Sequence, residues 1–95
     1  MKEDLLKIIN TYGVLPQLKY FQSEVFELNE AIIEYEIESY YCVPSTKHIA
    51  EEIADVLVML NQFVEYYKIQ ESDIYMIMEQ KIDRQLERIK GESNE

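Results

Sequence analysis

The chain has 95 residues, of which 47% are hydrophobic and 29% charged, with two Gly, two Pro and a lone Cys42. That is the composition of one small globular domain; it holds too few turn residues for a β-sandwich or barrel, and no internal disulfide or Cys-rich zinc site. Nine basic against nineteen acidic residues give a net charge of −10, so a nucleic-acid polymer, which is held by Lys and Arg on its phosphates, is not an expected partner.

A small phosphorylated substrate remains compatible with this charge if metal ions or a local basic stripe receive it. The start, Met1-Lys2-Glu3-Asp4, carries acids where a secretory signal has only positive charge. The aliphatic run Val56–Leu60 is five residues long, against the roughly 20 needed to span a bilayer. With a single cysteine, these features predict a cytoplasmic protein with no membrane partner.

Four helices are predicted. The first, Glu3 to Tyr12, spaces Leu5, Ile8 and Ile9 helically and stops at Gly13. The second opens at Pro16 and runs to about Ser39, with Leu18, Phe21, Val25, Leu28 and Ile32 as its core stripe. The segment from Tyr40 to Thr46 has no helical period, contains Pro44 and reads as the central loop. The third helix spans Lys47 to Tyr67, capped by Ser45 or Thr46, with Ile49, Ile53, Val56, Leu60, Phe63 and Tyr67 on its core side. Ala54 and Val58 lie opposite that stripe. The fourth runs from Ser72 or Asp73 to Lys90, with Ile74, Met78, Ile82 and Ile89 along one side.

The expected architecture is therefore all-α: one helical domain over residues 1–90, built like a four-helix bundle, and a frayed tail over 91–95. A chain this short cannot cover a third helix that is apolar on two faces, so homo-oligomerisation, as a dimer or tetramer, is expected to complete the bundle.

Two acid pairs stand out, Glu24 with Glu27 and Glu52 with Asp55. At about 100° per residue, positions three apart lie about 60° from one another and one turn along, so each pair points to one patch of space. Both sit at the rim of the predicted core, on consecutive helices. Hard oxygen ligands in that arrangement suit Mg²⁺. A di-iron bundle would want Glu-x-x-His, and that spacing is absent from the sequence. Solvated helix acids are the plainer explanation for any one pair, and Glu34, Glu36 and Glu38 do read that way.

On the fourth helix Lys81, Arg84 and Arg88 fall within about 60° of one another. Ion pairing with Asp83 and Glu87 would account for them, but a Lys and a forked Arg also suit a polyphosphate. His48 shares a face with Glu52 and Asp55, and Tyr20 flanks Glu24. No Gly-rich phosphate loop occurs.

The segments Tyr12-Gly13-Val14-Leu15-Pro16-Gln17-Leu18, Ser23-Glu24-Val25-Phe26-Glu27-Leu28 and Glu51-Glu52-Ile53-Ala54-Asp55-Val56-Leu57 resemble the MazG-like all-α nucleotide pyrophosphohydrolases. That family carries E-E-x-x-E, a spacer and E-x-x-D. Here Ser23 stands where the first Glu is usual. Lys81-x-x-Arg84-Gln85 resembles the family's K-x-x-R-N element, with Gln for Asn. The resemblance covers roughly residues 12 to 88. It implies that Glu24, Glu27, Glu52 and Asp55 hold Mg²⁺, with Mn²⁺ a substitute, and form the catalytic centre. It further implies that Lys81 and Arg84 bind the substrate, joined by Arg88 on the same stripe, and that the reaction is metal-assisted hydrolysis of a nucleoside triphosphate, (d)NTP, to the monophosphate and pyrophosphate. The alternative from another class is a non-catalytic, acidic helical module for protein interaction.

Overall fold

The computed structural model describes residues 1–93. Four helices follow in order: α1 (Lys2–Tyr12), α2 (Val14–Glu38), α3 (Lys47–Tyr66) and α4 (Glu71–Ser93). No strand occurs among the described residues, so the chain is all-helical as expected.

Gly13 alone joins α1 to α2. Its φ of +93° suits a residue without Cβ, and its N–H donates to the Ile9 carbonyl at 2.8 Å. The second helix begins at Val14, two residues before the expected start. Pro16 is tolerated there because its missing N–H would fall in the first turn, where backbone donors have no helical partner. The loop from Ser39 to Thr46 matches expectation. The Ser45 hydroxyl accepts the Lys47 N–H at 3.2 Å, while Thr46, the N-cap residue, makes no side-chain cap bond.

The α3 terminus is a Schellman motif. Lys68 is left-handed at φ 55°, its N–H reaches the Glu65 carbonyl at 3.3 Å, and the Ile69 N–H reaches Val64 at 3.0 Å. The next helix starts at once and continues through Gly91 to Ser93, beyond the expected stop at Lys90. Nothing lies within 4 Å of a Cβ placed at Gly91, so no crowding marks it as a helix end. The rest of the expected tail, residues 94 and 95, lies outside the described residues.

Helices α1, α2 and α3 pack on one another, whereas α4 forms no comparable interface with any of them. The chain is correspondingly extended, with a radius of gyration of 17.4 Å against about 12.4 Å for a compact domain of this length. A four-helix bundle is thus not closed within one chain.

The core also differs from the predicted stripes. Leu5, Ile9, Ala31 and Met59 are its buried hydrophobic residues, joined by Gln17, Glu24 and Gln62. Leu18, Ile32, Ile53, Leu60 and Tyr67, expected inside, are exposed. Both α2 and α3 are rotated by about 80° from the centre of their apolar stripes, toward Glu24 on one and Met59 on the other. This rotation brings the acids inward.

Candidate metal centre

Contacts from Gln17 to Gln62, Phe21 to Phe63 and Glu24 to Glu52 and Asp55 run in opposite chain directions, so α2 and α3 are antiparallel. Residues seven apart share a helix face; Gln17 and Glu24 are one such pair, Asp55 and Gln62 another. The α2–α3 seam is therefore polar over two helical turns. At one level the Gln17 amide donates to the Gln62 side-chain carbonyl at 2.8 Å, and the Gln62 amide reaches the Met59 sulfur at 3.6 Å. Gln62 is only 1% exposed, and this satisfied pair fixes the register of the two helices. The apolar periodicity does not reveal this pair, although the seven-residue spacing from Gln17 to Glu24 and from Asp55 to Gln62 marks it.

At the next level, one carboxylate oxygen each from Glu24, Glu52 and Asp55 lie within 4.8 Å of one another. Glu24 is 5% exposed, the Glu52 side chain 12%, and Asp55 is open to solvent. Glu24 Oε2 and Glu52 Oε2 are buried and accept no hydrogen bond. An unsatisfied buried acceptor costs about 1–3 kcal/mol. Two of them beside a third carboxylate, with no Lys or Arg pairing to the set among the described residues, make an arrangement that a divalent cation would relieve. Two oxygens on opposite sides of one Mg²⁺ are about 4.2 Å apart, so the set needs only a slight side-chain contraction, and exposed Asp55 has the room. The donor set therefore fits a hard cation.

The electrostatics agree. Burial pushes the Glu24 carboxyl above its ordinary range; the charges of Glu27, Asp55 and Glu52 act in the same direction, against the Tyr20 hydroxyl. The Tyr20 phenol is raised in turn, chiefly by its interaction with the neighbouring Glu24 carboxylate.

Of the expected site residues, Glu24, Glu52 and Asp55 come together and Glu27 does not join the set. It remains near enough for its charge to act on Glu24 and Tyr20. Lys81, Arg84 and Arg88 are exposed on α4, apart from the carboxylates. His48 Nδ1 is 3.9 Å from Glu52 and 4.0 Å from Glu51: a loose ion pair when protonated, outside the triad.

A cleft of about 460 Å³ adjoins the triad through Tyr20, lined also by Tyr12, Pro16, Gln17, Val58 and Gln62. The larger cleft, about 770 Å³, lies elsewhere, where α4 departs between Lys2, Leu6 and Asn10 of α1 and the turn at Lys68. Its lining lacks a carboxylate cluster, and its size follows from the departure of α4. No helix is long and apolar enough to cross a membrane among the described residues.

Fold and site define an all-helical chain that holds a three-carboxylate cluster in the seam of two antiparallel helices. Compared with protein-family models, curated proteins and solved structures, the chain matches none.

Proposed function

We propose that this chain is a Mg²⁺-dependent nucleoside triphosphate pyrophosphohydrolase, converting a (d)NTP to the (d)NMP and pyrophosphate, and that it works as a homodimer or homotetramer. The observation that carries this reading is the pair of buried, unpartnered oxygens of Glu24 and Glu52 converging with Asp55. These three side chains would hold the ion. When bound, a divalent cation offsets phosphate charge and polarises the phosphoryl oxygens. That role suits a chain whose net charge of −10 would otherwise repel the substrate.

The protein's own groups divide the remaining tasks. Glu27, outside the triad but next to it, takes the proton from the attacking water. The water oxygen bonds to the α-phosphorus, and the bond from that phosphorus to the bridging oxygen breaks, so that pyrophosphate leaves with the electron pair. Tyr12 and Tyr20 at the neighbouring cleft offer faces on which a base stacks. Lys81, Arg84 and Arg88 grip the phosphates, which requires an assembly that brings α4 to the carboxylates.

Exposed apolar side chains on every helix favour the second reading, a non-catalytic interaction module. Calorimetric titration with Mg²⁺ and Mn²⁺, together with pyrophosphate release over a panel of nucleotides, separates the two. Metal binding lost in Asp55→Asn, with pyrophosphate from at least one nucleotide, supports the enzyme; no heat and no release leave the interaction module.

A further inference from the structure

Helix α4 has the pattern of a packed helix but, among the described residues, no interface comparable to those joining α1, α2 and α3. Tyr75, Met78, Ile82 and Leu86 follow one another at steps of three and four, a single apolar stripe, and all four are exposed, Ile82 at 53%. A matching surface exists on α2 and α3. On the side of the seam away from α1, half-buried Phe21, Val25, Val56 and Phe63 form a floor, and the Phe21 and Phe63 rings meet edge to face at 5.8 Å. Exposed Leu18, Ile32, Ile53 and Leu60 border it by helical position.

We propose that two copies of this chain exchange α4, each seating the apolar stripe of its α4 in the α2–α3 groove of the other. This deepens the homo-oligomeric reading above and rests on it. The exposed area calls for such a partner. The chain exposes 7965 Å², whereas a compact monomer of 11.4 kDa exposes about 5,800 Å². The excess, about 2,200 Å² per chain, is in the range that one partner of an obligate homodimer buries. Charge favours the same pairing. Residues 81–90 carry four bases and two acids, while residues 14–66 carry ten acids and two bases, so the distal half of α4 is drawn to the α2–α3 pair of a second copy.

The connection into α4 is compatible with exchange. The Schellman turn at Lys68 makes both of its characteristic hydrogen bonds, and α4 leaves it without an interface on its own chain comparable to those of the other helices. Exchange leaves that turn intact, uses the same two surfaces twice and closes with two-fold symmetry.

Analytical ultracentrifugation of the full chain tests this. The parent should sediment as a dimer. Ile82→Asp, in the stripe, and Leu60→Asp, in the groove, should each give monomer at the same concentration. An equimolar mixture of the two variants should regain dimer mass, because a mixed pair retains one intact stripe on one intact groove. A monomeric parent, a dimeric Ile82→Asp, or a mixture that stays monomeric overturns the exchange. If either aspartate variant fails to fold, Ile82→Ala is diluted beside the parent. A dimer dissociation constant raised at least tenfold supports the exchange, and an unchanged constant overturns it. A monomeric parent that still binds Mg²⁺ in a parallel titration would sink the exchange and leave the triad standing as a metal site.

Discussion

Replacing Glu24 by Gln should stabilise the metal-free protein and abolish its response to Mg²⁺. The substitution keeps shape while removing a charge that sits 5% exposed with one oxygen unpartnered, facing the unpartnered oxygen of Glu52. A buried acceptor left without a donor costs about 1–3 kcal/mol. The new amide both removes the charge and can donate to Glu52. A gain of about 1–2 kcal/mol follows, and for a chain of this length each kcal/mol raises Tm by about 4–8 °C. In Mg²⁺ the order should reverse. A ligand at one hundred times its Kd stabilises the native state by about 2.7 kcal/mol, a gain open to the parent and closed to a site that has lost an anionic ligand. Thermal melts followed by far-UV circular dichroism, in chelator and in saturating Mg²⁺, read both effects. If Glu24→Gln melts below the parent in chelator, or if Mg²⁺ raises both proteins equally, the orphaned carboxylates are not a cation site.

The same group predicts a pH dependence. A Glu24 carboxyl raised from its ordinary 4.5 holds its proton to higher pH in the folded than in the unfolded chain, so its contribution is present below about pH 4.5 and is lost as pH rises through the folded value. The metal-free parent should therefore melt higher at mildly acidic than at neutral pH, and Glu24→Gln should show a smaller gain; equal slopes would refute it. Asp55→Asn should lose Mg²⁺ affinity in calorimetry with Tm held or raised, since Asp55 is solvent-exposed. Arg84→Ala should leave Mg²⁺ affinity unchanged and lower kcat/KM by roughly 10- to 150-fold through a lost charge-assisted contact, with Arg84→Lys a partial rescue; unchanged kinetics return the residue to surface chemistry. Lys68→Gly should raise Tm, because a side chain in left-handed backbone costs about 1 kcal/mol, and a lowered Tm would contradict that cap.

What the sequence made legible is local in origin. Gly13 and the Pro44–Ser45 stretch end helices through their own backbone preferences, and three-residue spacing puts two carboxylates on one patch whatever the helix packs against. Which way α2 and α3 face is not local. Counting apolar residues put Leu18, Ile53 and Leu60 inside, yet the seam that forms buries Gln17 against Gln62 and turns Glu24 and Glu52 inward. A satisfied amide pair and a carboxylate cluster are features of two helices together and invisible to either pattern alone. The rotation also explains why Glu27 drops out while Asp55 stays. On α2 the seam runs through Glu24, so the acid about 60° further round is carried away from it; on α3 the seam passes between Glu52 and Asp55. The fourth helix marks the same limit from the other side. Its stripe at Tyr75, Met78, Ile82 and Leu86 states that a face must be covered, but an apolar period carries no information about whether the cover comes from the same chain. Within one chain that cover is missing: α4 leaves the turn at Lys68 without a comparable interface on the other helices, and Leu18, Ile32, Ile53 and Leu60 on α2 and α3 stay exposed.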